Sequence, residues 1–99
     1  MSAPMTVVGA FAQNYAQARV KFLGAAAIAG LPTESFNHPL PGRDGETLAV
    51  DVALDGPQDA QSLLIVSSAC HGVEGFCGSG VQVFALHDSA WREKARAAG

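Results

Sequence analysis

The sequence predicts an α/β fold with the order helix, strand, strand, strand, helix. Three patterns predict it. An alanine-rich stretch carries apolar residues at spacings of three and four, Thr47 to Leu54 alternates, and Leu63-Leu64-Ile65-Val66 is one continuous apolar run. A chain of 99 residues suffices for one small domain and not for two.

The helix comes first. Phe11, Tyr15, Ala18, Phe22, Ala25 and Ala29 fall on one face, while Arg19 and Lys21 lie off it. Alanine has the highest helix propensity, and this stretch is full of it. Asn14 with Gln17 resembles a capping box at the start. Gly30 followed by Pro32 is a stop signal, because glycine accepts the left-handed cap and proline cannot continue the ladder. The stripe reads as a core-facing surface.

The strands follow. Glu34 to His38 is short and weakly patterned. Pro39, Pro41, Gly42, Asp44 and Gly45 mark a turn-rich connection, and Asp44-Gly45 suggests a hairpin with a loop longer than two residues. In Thr47 to Leu54, Leu48, Val50, Val52 and Leu54 point one way and Ala49, Asp51 and Ala53 the other. Asp55-Gly56-Pro57 ends that strand. Ser62 to Ala69 reads differently: four consecutive apolar residues fit a strand covered on both faces. After Gly80 the pattern turns helical, with Val81, Phe84 and Ala85 on one face and Trp91 continuing it. A buried central strand needs layers on both sides, and another strand is expected beside Ser62 to Ala69.

Composition excludes several functions. Charged residues are few and the net charge is −3, with no basic cluster beyond Arg92, Lys94 and Arg96, so nucleic acid is not an expected partner. No apolar run approaches the roughly 20 residues that span a bilayer, and no membrane role is expected. The apolar N-terminus lacks a positive region and is broken by Gly9, unlike a signal peptide. Cys70 and Cys77 do not make a disulfide framework and read as thiols in a reducing, cytoplasmic compartment.

Chemistry concentrates after the apolar run, in Ala-Cys-His-Gly-Val-Glu-Gly-Phe-Cys-Gly. His71 and Glu74 stand at the C-terminal end of the expected buried strand, where ligand sites collect in open sheets. The spacing brings an imidazole and a carboxylate to one side of a tight loop, which suits two ligands of one zinc ion. Gly72, Gly75, Gly78 and Gly80 leave the backbone free to turn sharply. On an ordinary surface helix the same spacing would mean nothing. His38 and His87 read as surface histidines. Cys77 reads as a small buried residue opening the helix, and Cys70 as a structural thiol with no oriented base.

The stretch from Leu64 to Gly80 resembles the zinc-binding segment of the zinc-carboxypeptidase-like hydrolases. Its His-Gly-Val-Glu-Gly-Phe-Cys-Gly-Ser-Gly form is especially similar to a bacterial family of unknown function within that superfamily. Pro39 to Ala53 and the helix around Tyr15 to Gly30 are similar as well, and the resemblance covers roughly residues 11 to 88. It implies the N-terminal part of a mixed, mostly parallel sheet flanked by helices. It implies a zinc cofactor held by His71, Glu74 and a second histidine far downstream, and a downstream glutamate acting as general base. The substrate would be a peptide or an N-acyl amino acid. None of those downstream positions occurs in this sequence. The chain is therefore expected to be a partial domain over residues 1–99, inactive alone and unsettled in oligomeric state.

Two other readings compete. A strand, glycine-rich turn and helix can hold phosphate, but Gly78-Ser79-Gly80 is followed by Val81-Gln82-Val83, so no dinucleotide fingerprint forms. No Gly-Lys-Ser/Thr occurs, and Glu74 would repel phosphate. A non-catalytic remnant or interaction module is the other alternative.

Overall fold

The computed structural model describes residues 5–69 and 74–99. It is mixed α/β. Helix α1 spans Val7–Ala10, α2 Tyr15–Ile28, α3 Gly75–His87 and α4 Ser89–Ala97, while strands β1 and β2 span Thr33–Asn37 and Ala49–Ala53.

The capping signals around α2 act as the residue types require. Asn14 is the N-cap, and its side chain accepts from the Gln17 amide at 2.8 Å. The Gln17 side chain reaches back to accept from the Gln13 amide at 3.1 Å, one residue earlier than the reciprocal bond of a capping box. At the other end Gly30 takes φ +73. The Leu31 amide then bonds the Ala26 carbonyl and the Gly30 amide bonds the Ala27 carbonyl. That pair of bonds is a Schellman motif, and only its left-handed residue needs to be glycine.

Strands β1 and β2 are antiparallel, with Phe36 opposite Val50 and Glu34 opposite Val52. The connection between them turns at Gly45, φ +80, and is closed by the Gly42 amide on the Glu46 carbonyl at 2.8 Å. The hairpin suggested by Asp44-Gly45 is present, with the long loop expected of it. The packed face of β2 is its smaller one. Ala49, Asp51 and Ala53 are half-buried, and α2 binds that strand through two polar ties. The Tyr15 hydroxyl accepts from the Ala49 amide at 2.8 Å and donates to the Ala49 carbonyl at 3.1 Å. Arg19 donates from Nε to Asp51 Oδ2 at 2.9 Å and from Nη2 to Asp51 Oδ1 at 3.2 Å, and the Ser35 hydroxyl also donates to Oδ1. Burial pushes the Asp51 carboxyl up. The hydrogen bonds from Arg19 and Ser35, with the Arg19 charge, outweigh that and hold it below its ordinary range. The opposite face, with Phe36, Val50, Val52 and Leu54, is exposed.

The core is small. Ala10, Ala25 and Val83 form it, with Met5, Phe22, Phe84 and Leu86 packed around them. The alanine-rich stripe of α2 thus faces the core at Ala25 and Phe22, as its spacing predicts. Small side chains let the helices approach closely. A Cβ on Gly80 would lie 2.2 Å from Phe11 Cδ1, so this glycine is what seats the Phe11 ring against α3. Lysine off the stripe has a structural task too: Lys21 Nζ donates to the carbonyls of Gly9 and Phe11 and holds the end of α1.

Three sequence expectations need correction. The helix after Gly80 begins earlier, at Gly75, and breaks at Asp88, whose side chain accepts from the Trp91 amide and caps a separate α4. Its core residue is Val83, whereas Val81 is exposed. Ser62 to Ala69 forms no strand. Among the described residues only the two-stranded antiparallel sheet exists, and no other strand supplies hydrogen bonds to that segment. Two covered faces are the condition for a buried strand, and among the described residues Leu63 to Val66 are exposed.

Candidate metal centre

The described residues on either side of 70–73 frame the expected site. The chain reaches it through Ala69, a non-glycine residue at φ +61. A left-handed alanine costs on the order of 1–2 kcal/mol, so its surroundings must hold it there. They do so by contact with α3. A Cβ on Gly75 would meet the Ala69 Cα at 2.8 Å, and one on Gly78 would meet the Ser68 Cβ at 3.2 Å. These two glycines are one turn apart on α3 and form a groove for residues 68 and 69. Gln82 closes the same face. Its Nε2 donates to the Val66 carbonyl at 2.8 Å, and its Oε1 accepts from the Ser68 hydroxyl at 2.6 Å. Of the glycines expected to ease turning, Gly75 and Gly78 therefore serve as close-packing positions.

Glu74 is the N-cap residue of α3, exposed and in a helical conformation, φ −62 and ψ −18. A carboxylate there complements the positive end of the helix dipole. His71 lies outside the described residues, as does Cys70. The pairing of His71 with Glu74 is thus described at one member only.

The remaining candidates fall elsewhere. His38 sits in a surface turn, its Nδ1 accepting from the Leu40 amide at 3.0 Å, as a surface histidine should. His87 ends α3, thirteen residues from Glu74, which at about 1.5 Å per residue puts their backbones about 20 Å apart. No single ion reaches both. Cys77 is an exposed free thiol rather than a buried one. It lies about 200° around the helix from Gly75, away from the groove that holds residues 68 and 69. Among the described residues no three metal-ligating side chains converge.

A family model matches residues 11–99, and its description is a protein of unknown function, DUF2817. The chain belongs to that family. No curated protein matches the chain, and no solved structure does. The match bears out the expected likeness to a family of unknown function, and it runs past residue 88 to Gly99. No helix of the described residues is long and apolar enough to cross a membrane.

Sequence reasoning missed two things around this site. One is Gln82, whose side chain fastens Val66 and Ser68 to α3. A lone glutamine on a helix gives no signal in the sequence. The other is the contact of Ala69 with Gly75, which depends on the placement in space of residues on either side of 70–73.

Proposed function

We propose that this chain supplies the first two ligands, His71 and Glu74, of a zinc site in a hydrolase of peptide or amide bonds related to the zinc carboxypeptidases. The observation that carries the reading is the His-x-x-Glu pair set between a glycine-rich helix face and an apolar run. The donor chemistry fits zinc, which takes neutral imidazole and carboxylate and keeps three protein ligands in hydrolytic sites. His71 would hold the ion through a ring nitrogen and Glu74 through its carboxylate. Zinc bound there would polarise a substrate carbonyl and lower the pKa of a bound water. Glu74 suits this role because it is exposed at the first turn of α3. Ala69 and Gly75 in contact bring the described flanks of the motif together. The third ligand and the general base belong to the downstream residues that the resemblance implies. The cofactor of the reading is zinc, and its substrate class is a peptide or an N-acyl amino acid.

The test is bound zinc, measured by mass spectrometry after dialysis against trace metal, in a polypeptide that also carries the downstream histidine and glutamate, and in its His71→Ala and Glu74→Ala variants. Both variants should retain less zinc than the parent. Equal zinc in all three overturns the assignment. A non-catalytic interaction module is the second reading, favoured by the exposure of Leu63 to Val66. Zinc retention without hydrolysis, in a polypeptide that also carries the downstream histidine and glutamate, would select it.

A further inference from the structure

One face of α3 is given over to the residues that precede the motif. Gly75, Gly78 and Gln82 follow one another at spacings of three and four, so they share a face of that helix. Gly80 and Val83 lie off this face and serve the Phe11 ring and the core. On the shared face Gly75 receives Ala69, Gly78 receives Ser68, and Gln82 bonds both Val66 and Ser68. The two bonds from Gln82 fix the orientation of its amide. A carbonyl can only accept, so the Val66 oxygen takes the NH2 group, and Oε1 is left for the Ser68 hydroxyl.

The fastening matters because of what Ala69 and Gly75 bracket. Residues 70–74, with both proposed ligands among them, connect these two. A stretch whose ends are already together does not have to be closed when a metal binds, and the affinity is higher by that saving. The bracket is under tension at one end. Ala69 stands at φ +61, a conformation that alanine leaves when nothing holds it. Gln82 bonds the residue directly before Ala69 and the carbonyl two residues further back, so it opposes that release.

We propose that Gln82 is a positioning residue of the zinc site: by fastening Val66 and Ser68 to α3 it keeps Ala69 against Gly75, and so keeps His71 and Glu74 in reach of one ion. The inference rests on the zinc reading above. Gln82 itself touches neither the metal nor the substrate in this role. It acts through the backbone, and its effect is on zinc affinity.

Zinc affinity, measured by competition with a chromophoric chelator, tests it in the polypeptide that also carries the downstream histidine and glutamate. The variants are Gln82→Met, Gln82→Glu and Tyr15→Phe, each checked for folding by far-ultraviolet circular dichroism. Methionine keeps the length and helix propensity of glutamine and removes both bonds. Glutamate keeps the shape but sets a carboxylate against the Val66 carbonyl. Tyr15→Phe is the control for stability: it also removes two hydrogen bonds, between α2 and β2. The zinc dissociation constant should rise about tenfold in both Gln82 variants, the lower end of what outer partners of metal ligands contribute. In Tyr15→Phe it should match the parent. Parent affinity in a folded Gln82 variant overturns this proposal alone, since zinc lost by His71→Ala and Glu74→Ala would still uphold the zinc reading. An equal loss of affinity in Tyr15→Phe also overturns it, because affinity would then merely follow stability. Zinc retained in full by His71→Ala and Glu74→Ala overturns the zinc reading and this inference with it.

Discussion

Replacing Asp51 by asparagine probes the tie between the hairpin and α2. The Arg19 and Asp51 side chains are 24 and 8 % exposed, with 2.9 Å between Nε and Oδ2. A hydrogen bond to a charged group contributes about 1.5–3 kcal/mol net when shielded from water. Arg19 makes two to Asp51 and Ser35 makes a third, but they share one carboxylate and are not additive. Partial exposure of Arg19 screens the pair, and asparagine keeps one acceptor oxygen. The net loss expected for Asp51→Asn is about 2 kcal/mol. For a domain of this size that is a fall in melting temperature of roughly 8–16 °C. The pH dependence gives the sharper test. The Asp51 carboxyl titrates below its ordinary value in the folded chain. Its contribution is therefore complete above the unfolded value of about 3.9 and is lost as pH falls through the folded one. Urea denaturation at a series of pH values should show the two proteins differing at neutral pH and converging in acid. In a double-mutant cycle with Arg19→Met, most of the loss should appear as coupling between the two sites. A difference under about 0.5 kcal/mol at pH 7 would class the pair with ordinary surface ion pairs. A difference that persists unchanged into acid would show that the charge of Asp51 is not what stabilises the fold.

The same substitution should have opposite signs at two glycines. Gly80→Ala drives a Cβ to 2.2 Å from the Phe11 ring and should destabilise by about 1–3 kcal/mol before a partial offset from helix propensity, with Phe11→Ala in the same chain relieving the clash. Gly24→Ala in α2 meets nothing within 4 Å and should stabilise by up to about 1 kcal/mol, read from the same urea curves. Tyr15→Phe removes both bonds to the Ala49 backbone and should cost about 1–2 kcal/mol, with faster amide exchange at Ala49 seen by nuclear magnetic resonance. A loss confined to stability, with Ala49 still protected, would mean another group replaces the hydroxyl.

Local signals carried the sequence reading where one residue type has one physical job. Asn14 caps because its side chain reaches an orphan amide. Gly30 ends α2 because only glycine takes a left-handed turn without cost, and Gly45 turns the hairpin loop for the same reason. The alternation of Leu48 to Leu54 identified β2. The His71 and Glu74 pair stood out as a motif. Of its two members, only Glu74 has a described position, at the start of α3.

Other features depend on partners distant in the chain. Asp51 could be solvated or paired in the sequence; Arg19, thirty-two residues away, makes it a clamp. Alternation gave the two faces of β2 but not which one packs. The smaller one does, because Tyr15 and Arg19 reach it. The glycines after Glu74 read as freedom to turn, and tertiary contact made Gly75, Gly78 and Gly80 seats for Ala69, Ser68 and Phe11. The apolar run Leu63 to Val66 shows the division most plainly. By itself the sequence determined that these residues favour burial. Whether they are buried depends on neighbouring strands and on covering layers. Among the described residues neither is present, so the run stays exposed beside α3.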